Sequence, residues 1–381
     1  MQRNESDSTA VPVTWVRKGR GAVSNIPHRF ESVARERDAE SAESERLNGE
    51  GFPFDDDALP ALATAATLET AKSLITYNES PDIGFDRSIN PYRGCEHGCI
   101  YCFARPTHSY LNLSPGLDFE TKLVAKHNAV ELLLRELAAP RYKPAVIAVG
   151  VITDAYQPIE RELKLTRGIV EVLARARHPF GLITKSSLIE RDIDLLAPLA
   201  KEGVVAATIS ITTLDHSLSR ILEPRAASPL RRLRTVRTLA AAGIPVTVNV
   251  APIIPFINEP EIEHILEAAA QAGARQAHYT VLRLPWEVAP LFLQWLEAHF
   301  PDRAERVMNR VREMRRGKNY DSQFGTRMSG EGVWAELIRQ RFAKARSKFQ
   351  LDRDIPALRN DLFVPPTPPR SDIPAPQLSL F

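Results

Sequence analysis

Between two unpromising tails, the chain alternates short apolar runs with longer amphipathic ones, and that alternation limits the folds open to it. Strand-like runs occur at 146–152 (Val-Ile-Ala-Val-Gly-Val-Ile), 180–184, 204–211, 245–251 and 277–283, with a shorter one at Ser88–Tyr92. Helix-like segments separate them near 121–138, 160–177, 190–201, 229–242, 259–272 and 287–299. A strand with apolar residues at nearly every position has both faces buried, which is the mark of a parallel sheet covered by helices. Six such units predict an α/β fold of the partial (β/α)6 barrel type, with function at the C-terminal ends of the strands. At 381 residues and 44% hydrophobic composition there is ample chain for one large core.

Outside this core the sequence predicts less order. Residues 31–50 carry ten charged residues in twenty and little to bury, so 1–80 reads as a largely disordered or loosely docked segment; a basic and apolar stretch between Trp15 and Phe30 is suited to docking. The core is assigned to 81–300, a basic helical extension to 301–360, and a proline-rich tail to 361–381. No apolar run approaches the ~20 residues that span a bilayer, and no early apolar stretch follows a basic start, which predicts neither a membrane segment nor a secretory signal.

All three cysteines fall in one window, Cys95-Glu-His-Gly-Cys99-Ile-Tyr-Cys102. Three cysteines cannot pair fully, and thiols without a disulfide framework suit a reducing cytoplasm. Two metal readings compete. Three thiolates can hold a 4Fe–4S cluster and leave one iron open to a ligand. Alternatively, Cys95, Cys99 and Cys102 with His97 or His108 compose a Cys3His zinc site, although structural zinc sites usually draw a second ligand pair from further along the chain.

The surrounding sequence carries a family likeness. Ser-Ile-Asn-Pro-Tyr-Arg-Gly-Cys-Glu-His-Gly-Cys-Ile-Tyr-Cys-Phe-Ala-Arg-Pro-Thr-His (88–108), Ser-Pro-Gly-Leu-Asp-Phe-Glu (114–120), Thr-Asp-Ala-Tyr-Gln-Pro-Ile-Glu (153–160), Ile-Thr-Lys-Ser (183–186), Glu223-Pro224 with Arg232, and Ala-Pro-Ile-Ile-Pro (251–255) follow in order. Together they resemble the radical S-adenosylmethionine (SAM) superfamily, and within it a bacterial family related to spore photoproduct lyase and often labelled DNA repair photolyase-like. The resemblance implies that the three cysteines ligate the cluster, whose open iron chelates SAM, and that reductive cleavage yields a 5′-deoxyadenosyl radical. It implies an electron donor such as flavodoxin or ferredoxin. It also implies cofactor-binding roles for Tyr101 beside the adenine, Thr153 and Asp154 at the methionine ammonium, Lys185 reaching the cofactor, Ser210 at the ribose and Arg232 at the carboxylate. Spore photoproduct lyase uses an additional cysteine to return a hydrogen atom. This chain has none, so Tyr156 and Tyr279, near strand ends, become candidate donors.

Two features bear on the partner. Residues 303–350 contain thirteen Lys/Arg against five acidic residues, interleaved with Tyr320, Phe324, Trp334, Phe342 and Phe349. This composition suits either nucleic-acid contact or an amphipathic cap on the barrel. The last five residues, Gln377, Leu378, Ser379, Leu380 and Phe381, resemble the short peptide by which bacterial replication and repair proteins bind the sliding clamp, with Leu and Phe anchors entering an apolar groove. The sequence therefore points to a radical SAM enzyme of repair-like type, acting on DNA or a nucleic-acid-associated substrate. A radical SAM enzyme acting on a small molecule or protein, and a zinc-stabilised nucleic-acid-binding module without catalysis, are the alternatives.

Overall fold

The computed structural model describes residues 18–31 and 62–367. Ten strands occur there: β1 (Ala65–Glu69), β2 (Ile75–Tyr77), β3 (Arg87–Ile89), β4 (Tyr92–Arg93), β5 (Lys122–Lys126), β6 (Ile147–Val149), β7 (Phe180–Thr184), β8 (Val205–Ser210), β9 (Val246–Ile253) and β10 (Gln276–Val281). The main sheet runs β10-β9-β8-β7-β6-β3-β2. Its six strands from β3 to β10 are mutually parallel, and β2 joins antiparallel at one edge. Consecutive parallel neighbours joined by helices give the α/β partial barrel expected from the alternation.

The strands form where β-branched runs allow burial on both faces. Val246–Ile253 reads Val-Thr-Val-Asn-Val-Ala-Pro-Ile and is almost wholly buried. Helices Leu165–Arg175, Ile193–Glu202, Pro229–Ala241 and Ile262–Ala272 return the chain over the sheet. Their apolar faces join the strands in one continuous core, including Ile169, Leu173, Leu196, Val236, Leu239, Ile265 and Leu266. Each such side chain contributes roughly 1.5–3 kcal/mol of burial free energy.

Sequence patterning misread one place. The helix expected from 121 begins only at Ala129, because Lys122–Lys126 is a strand paired parallel with β1 and antiparallel with β4. Its Lys-Leu-Val-Ala-Lys pattern alternates exposed and buried positions, which a helical reading overlooks. The loose segment expected over 1–80 contains β1 and β2, and Ala22 and Leu74 are fully or almost fully buried. The 301–360 extension forms two helices, Pro301–Glu313 and Gly332–Lys348, and much of its positive charge is engaged within the protein. Arg315 is buried and donates to the carbonyls of Val281, Leu282, Thr326 and Arg327, tying the extension to the end of β10. Burial holds its guanidinium down at about 10. Arg341 pairs with Glu259 and Glu263, Arg316 with Glu331, and Arg327 with Asp82. The extension is a cap. Among the described residues no helix is long and apolar enough to cross a membrane. Residues 377–381 lie outside the described residues.

Candidate active site

The cysteine window forms two consecutive turns directly after β4. Gly98 N donates to Cys95 O at 3.3 Å and Cys102 N to Cys99 O at 3.2 Å. Every side of the loop is fastened. Cys95 N donates to Phe119 O (2.9 Å), Ile100 N to Leu222 O (3.2 Å), and Arg225 N to His97 O (3.3 Å). The Gln157 amide spans the loop, accepting from Glu96 N at 2.8 Å and donating to Gly94 O at 3.2 Å.

A buried ion pair lies beneath it. Arg105, fully buried, donates to Cys99 O (2.9 Å), Gly98 O (3.1 Å), Pro115 O (3.1 Å), Gly116 O (3.0 Å) and Glu120 Oε1 (2.5 Å). Glu120 also accepts from Gly21 N (3.0 Å) and Ala22 N (2.8 Å), which draws the N-terminal stretch over the loop. The approach is so close that a Cβ on Gly21 would lie 1.8 Å from Gly98 O. Docking of this stretch thus depends on a glycine and a buried carboxylate rather than on apolar patterning.

Cys95 and Cys99 are buried and Cys102 is partly exposed; all three are free thiols. Burial pushes the Cys95 thiol well up, and pushes Cys99 up to about 12 even though Lys185 and Arg232 draw it down. A thiolate is therefore unfavourable here unless a positive partner neutralises it, and an iron cluster brings such charge. The donor set (three thiols on one fastened loop) fits a cluster bound at three corners.

The wall beside the thiols is built around Glu223. Its carboxylate accepts from Arg232, Tyr101 Oη and Thr212 Oγ1, the last at 2.6 Å. Burial alone raises such a carboxyl, but Arg232, Lys185 and the two hydroxyls outweigh it and hold Glu223 at about 2. Tyr101 is thereby fixed beside Cys99, where both join one apolar cluster. The remaining Arg232 donors reach Ala227 O (2.6 Å) and Ser210 O (3.1 Å). Asp154 is similarly engaged, accepting from Thr184 Oγ1 (2.7 Å), Lys185 N (2.7 Å) and Tyr156 N (2.9 Å), with His97 Nδ1 at 3.3 Å. Burial raises it, and His97 with these donors brings it down to about 2. Thr153 donates from its hydroxyl to Tyr92 O at 2.9 Å. Arg232 and Asp154 are thus both engaged with partners inside the protein. Lys185 differs. Its ammonium lies 5.8 Å from the centre of the Tyr101 ring, its titratable neighbours include Cys99 and Glu223, and among the described residues no carboxylate pairs with it.

The two tyrosines expected as hydrogen donors lie elsewhere. Tyr156 is buried in the main core and donates to Asp192 Oδ2 at 3.0 Å. Tyr279 packs at a tilt against Phe342 of the last helix, ring centres 4.6 Å apart, on the capped side of β10. Both assignments rested on proximity to strand ends, which leaves side-chain direction open. Conversely, sequence reasoning gave no role to Arg105, Glu120, Gln157 or Glu223. All four stand within the quoted motifs, and only burial reveals that they organise the loop.

Beside the cysteine loop, a cleft of about 520 Å³ opens at the C-terminal ends of β6, β7 and β8. His97, Ser186, Arg161, Arg225, Arg231 and Arg234 line it, and no aspartate or glutamate does. Arg225 pairs with Glu96 and Arg231 with Glu190. Arg161 and Arg234 have no carboxylate partner among the described residues.

Comparison with known proteins agrees with this construction. The model of the radical SAM superfamily matches residues 89–269. An uncharacterised protein of Mycobacterium tuberculosis is 32% identical over 323 residues, covering 80% of this chain and 91% of its own length. One from Methanocaldococcus jannaschii is 28% identical over 223 residues, covering 58% of this chain and 80% of its own. By fold, a variant of spore photoproduct lyase aligns with TM-score 0.53 at 16% identity, over 74% of this chain and 79% of that one. The same enzyme complexed with a dinucleoside spore photoproduct aligns at 0.52 and 15%, with the same coverage of both chains. Members of the superfamily use SAM and a 4Fe–4S cluster, and on the evidence of motif, site and fold this chain belongs to the radical SAM superfamily.

Proposed function

We propose that this protein is a radical SAM enzyme of repair-like type that abstracts hydrogen from DNA or a nucleic-acid-associated substrate. Cys95, Cys99 and Cys102 hold the cluster. When bound, the cluster supplies the electron that cleaves the SAM sulfonium into methionine and a 5′-deoxyadenosyl radical. The protein's own residues bind and orient. Tyr101, fixed by Glu223, offers a ring face at the wall of the site. Lys185 supplies the unpaired positive charge suited to a carboxylate, Ser210 ends the strand beside it, and Arg232 and Asp154 keep their neighbours in place. Membership of the superfamily removes the support for a zinc-only module.

The observation that carries the nucleic-acid reading is the cleft beside the thiols, with four arginines and no acidic lining. Such a surface attracts phosphodiesters, and two of its guanidinium groups have no carboxylate partner among the described residues. The fold neighbour solved with a dinucleoside spore photoproduct supports the reading, since that protein holds a damaged dinucleoside on the same fold. A flavodoxin or ferredoxin as electron donor, a cytoplasmic location, and clamp binding through Gln377–Phe381 belong to the same proposal.

Its test is isotopic. The reconstituted, reduced enzyme is given SAM and deuterated oligonucleotides, intact or ultraviolet-damaged, and 5′-deoxyadenosine is examined by mass spectrometry. Deuterium in the product supports hydrogen abstraction from nucleic acid. Efficient SAM cleavage with no deuterium transfer from any strand would favour the small-molecule or protein substrate.

A further inference from the structure

Around the loop after β10, several large aromatic rings stand exposed that no other side chain among the described residues covers. Phe30 is 53% exposed, Tyr110 69%, Trp286 66% and Phe103, directly after Cys102, 42%. Soluble proteins seldom leave several large aromatic side chains together in water unless a partner covers them.

These rings are not scattered. Phe30 and Tyr110 lie 5.3 Å apart between ring centres. The Arg29 guanidinium sits 4.2 Å from the Trp286 ring centre, 5.1 Å from that of Phe30 and 5.5 Å from that of Tyr110. It is held there by Glu287, which accepts from Arg29 N at 3.1 Å and from its guanidinium at 3.2 Å. Arg283, three residues before Trp286, lies 5.3 Å from Phe103 and 5.8 Å from Tyr320. The loop after β10 therefore joins two arginine–aromatic clusters into one surface. Trp286 occupies the left-handed backbone region, φ 45°. A bulky side chain pays for that conformation, and such strain persists mainly where the surroundings fix it for a function.

We propose that this surface, Phe30–Tyr110–Trp286 extending through Arg283 to Phe103, is a stacking platform for unpaired bases of a single-stranded or locally opened nucleic acid. The proposal rests on the nucleic-acid reading above and deepens it. Every base presents a π face to an exposed ring, while Arg283, which has no carboxylate partner among the described residues, supplies positive charge for the backbone. The Arg29–Glu287 pairing orders the platform beforehand, so little freedom is lost on binding.

The test separates stacking from charge. Fluorescence anisotropy compares a twelve-nucleotide oligothymidylate with an abasic strand of equal length, for the wild type, Trp286→Ala, Tyr110→Ala and Trp286→Phe. Expected is tighter binding of the base-bearing strand by the wild type, with that preference reduced on the order of tenfold in each alanine variant and retained in Trp286→Phe. Two alanine variants at exposed positions guard against one failing to fold. Equal affinity for both strands, or an unchanged preference in Trp286→Ala and Tyr110→Ala, would overturn the platform while leaving charge-driven nucleic-acid binding intact. If the wild type binds neither strand, both the platform and the nucleic-acid reading fall.

Discussion

Replacing Arg105 by methionine is the sharpest test of how the cysteine loop is held. The guanidinium is fully buried and satisfies four backbone carbonyls, two of them at Gly98 and Cys99, besides the Glu120 carboxylate. Methionine keeps most of the volume and removes every donor. Breaking a buried ion pair from one side costs about 3–5 kcal/mol, because the remaining charge is left without its partner. Each orphaned carbonyl costs about 1 kcal/mol more unless water reaches it. Gly21 N and Ala22 N still bind Glu120 and offset part of the loss. These terms total about 7–9 kcal/mol before water reaches the carbonyls, so the expected destabilisation is at least about 4 kcal/mol in urea unfolding followed by circular dichroism. Iron bound per chain after anaerobic reconstitution should fall to less than half. Arg105→Lys should be intermediate in both, since one ammonium retains the charge but cannot reach five acceptors. If Arg105→Met loses less than about 1 kcal/mol and binds iron as the wild type does, the loop is not held in this way.

Other consequences follow from the same geometry. Lys185→Ala should weaken SAM binding by roughly tenfold, read by equilibrium dialysis, with iron content unchanged; full affinity would remove Lys185 from the site. Gly21→Ala, which drives a methyl into Gly98 O, should destabilise the protein by about 1–3 kcal/mol and free the N-terminal stretch for proteolysis; wild-type protease resistance would contradict the docking. Glu223 and Asp154 are both held at about 2, below their unfolded values of 4.5 and 3.8. Their contribution to stability is present above those unfolded values and is lost as pH falls from about 4.5 toward 2. Denaturation midpoints should therefore drop across that window, and a flat profile from pH 5 to 3 would show that these carboxylates are not so stabilised.

How much of this was readable in advance depends on what kind of signal each feature leaves. The six parallel strands were legible because burial on both faces demands runs such as Val-Val-Ala-Ala-Thr-Ile-Ser-Ile at 204–211, a pattern local to the strand. The cysteine loop was legible because thiols are rare and their spacing is chemical. Strand β5 was not, since five residues of alternation next to a helix are easily absorbed into the helix. The positions of Tyr156 and Tyr279 were not, because a sequence marks a residue near a strand end without saying where its ring points. The roles of Arg105 and Glu120 were least accessible. A buried charge looks like a surface charge until its partner, fifteen residues away, folds against it. The same reason explains why the thirteen basic residues of 303–350 suggested a nucleic-acid face, when several of them are bound to carboxylates and carbonyls of the protein itself.

The central claim is that the three thiols of one buried loop equip this chain for radical SAM chemistry. It is tested most directly by reconstituting the protein anaerobically, reducing it with dithionite, adding SAM and measuring 5′-deoxyadenosine, with Cys99→Ser alongside. The account predicts product from the wild type and none from the variant. Product at equal rate from Cys99→Ser, or none from a wild type carrying its full complement of iron and sulfide, would contradict it.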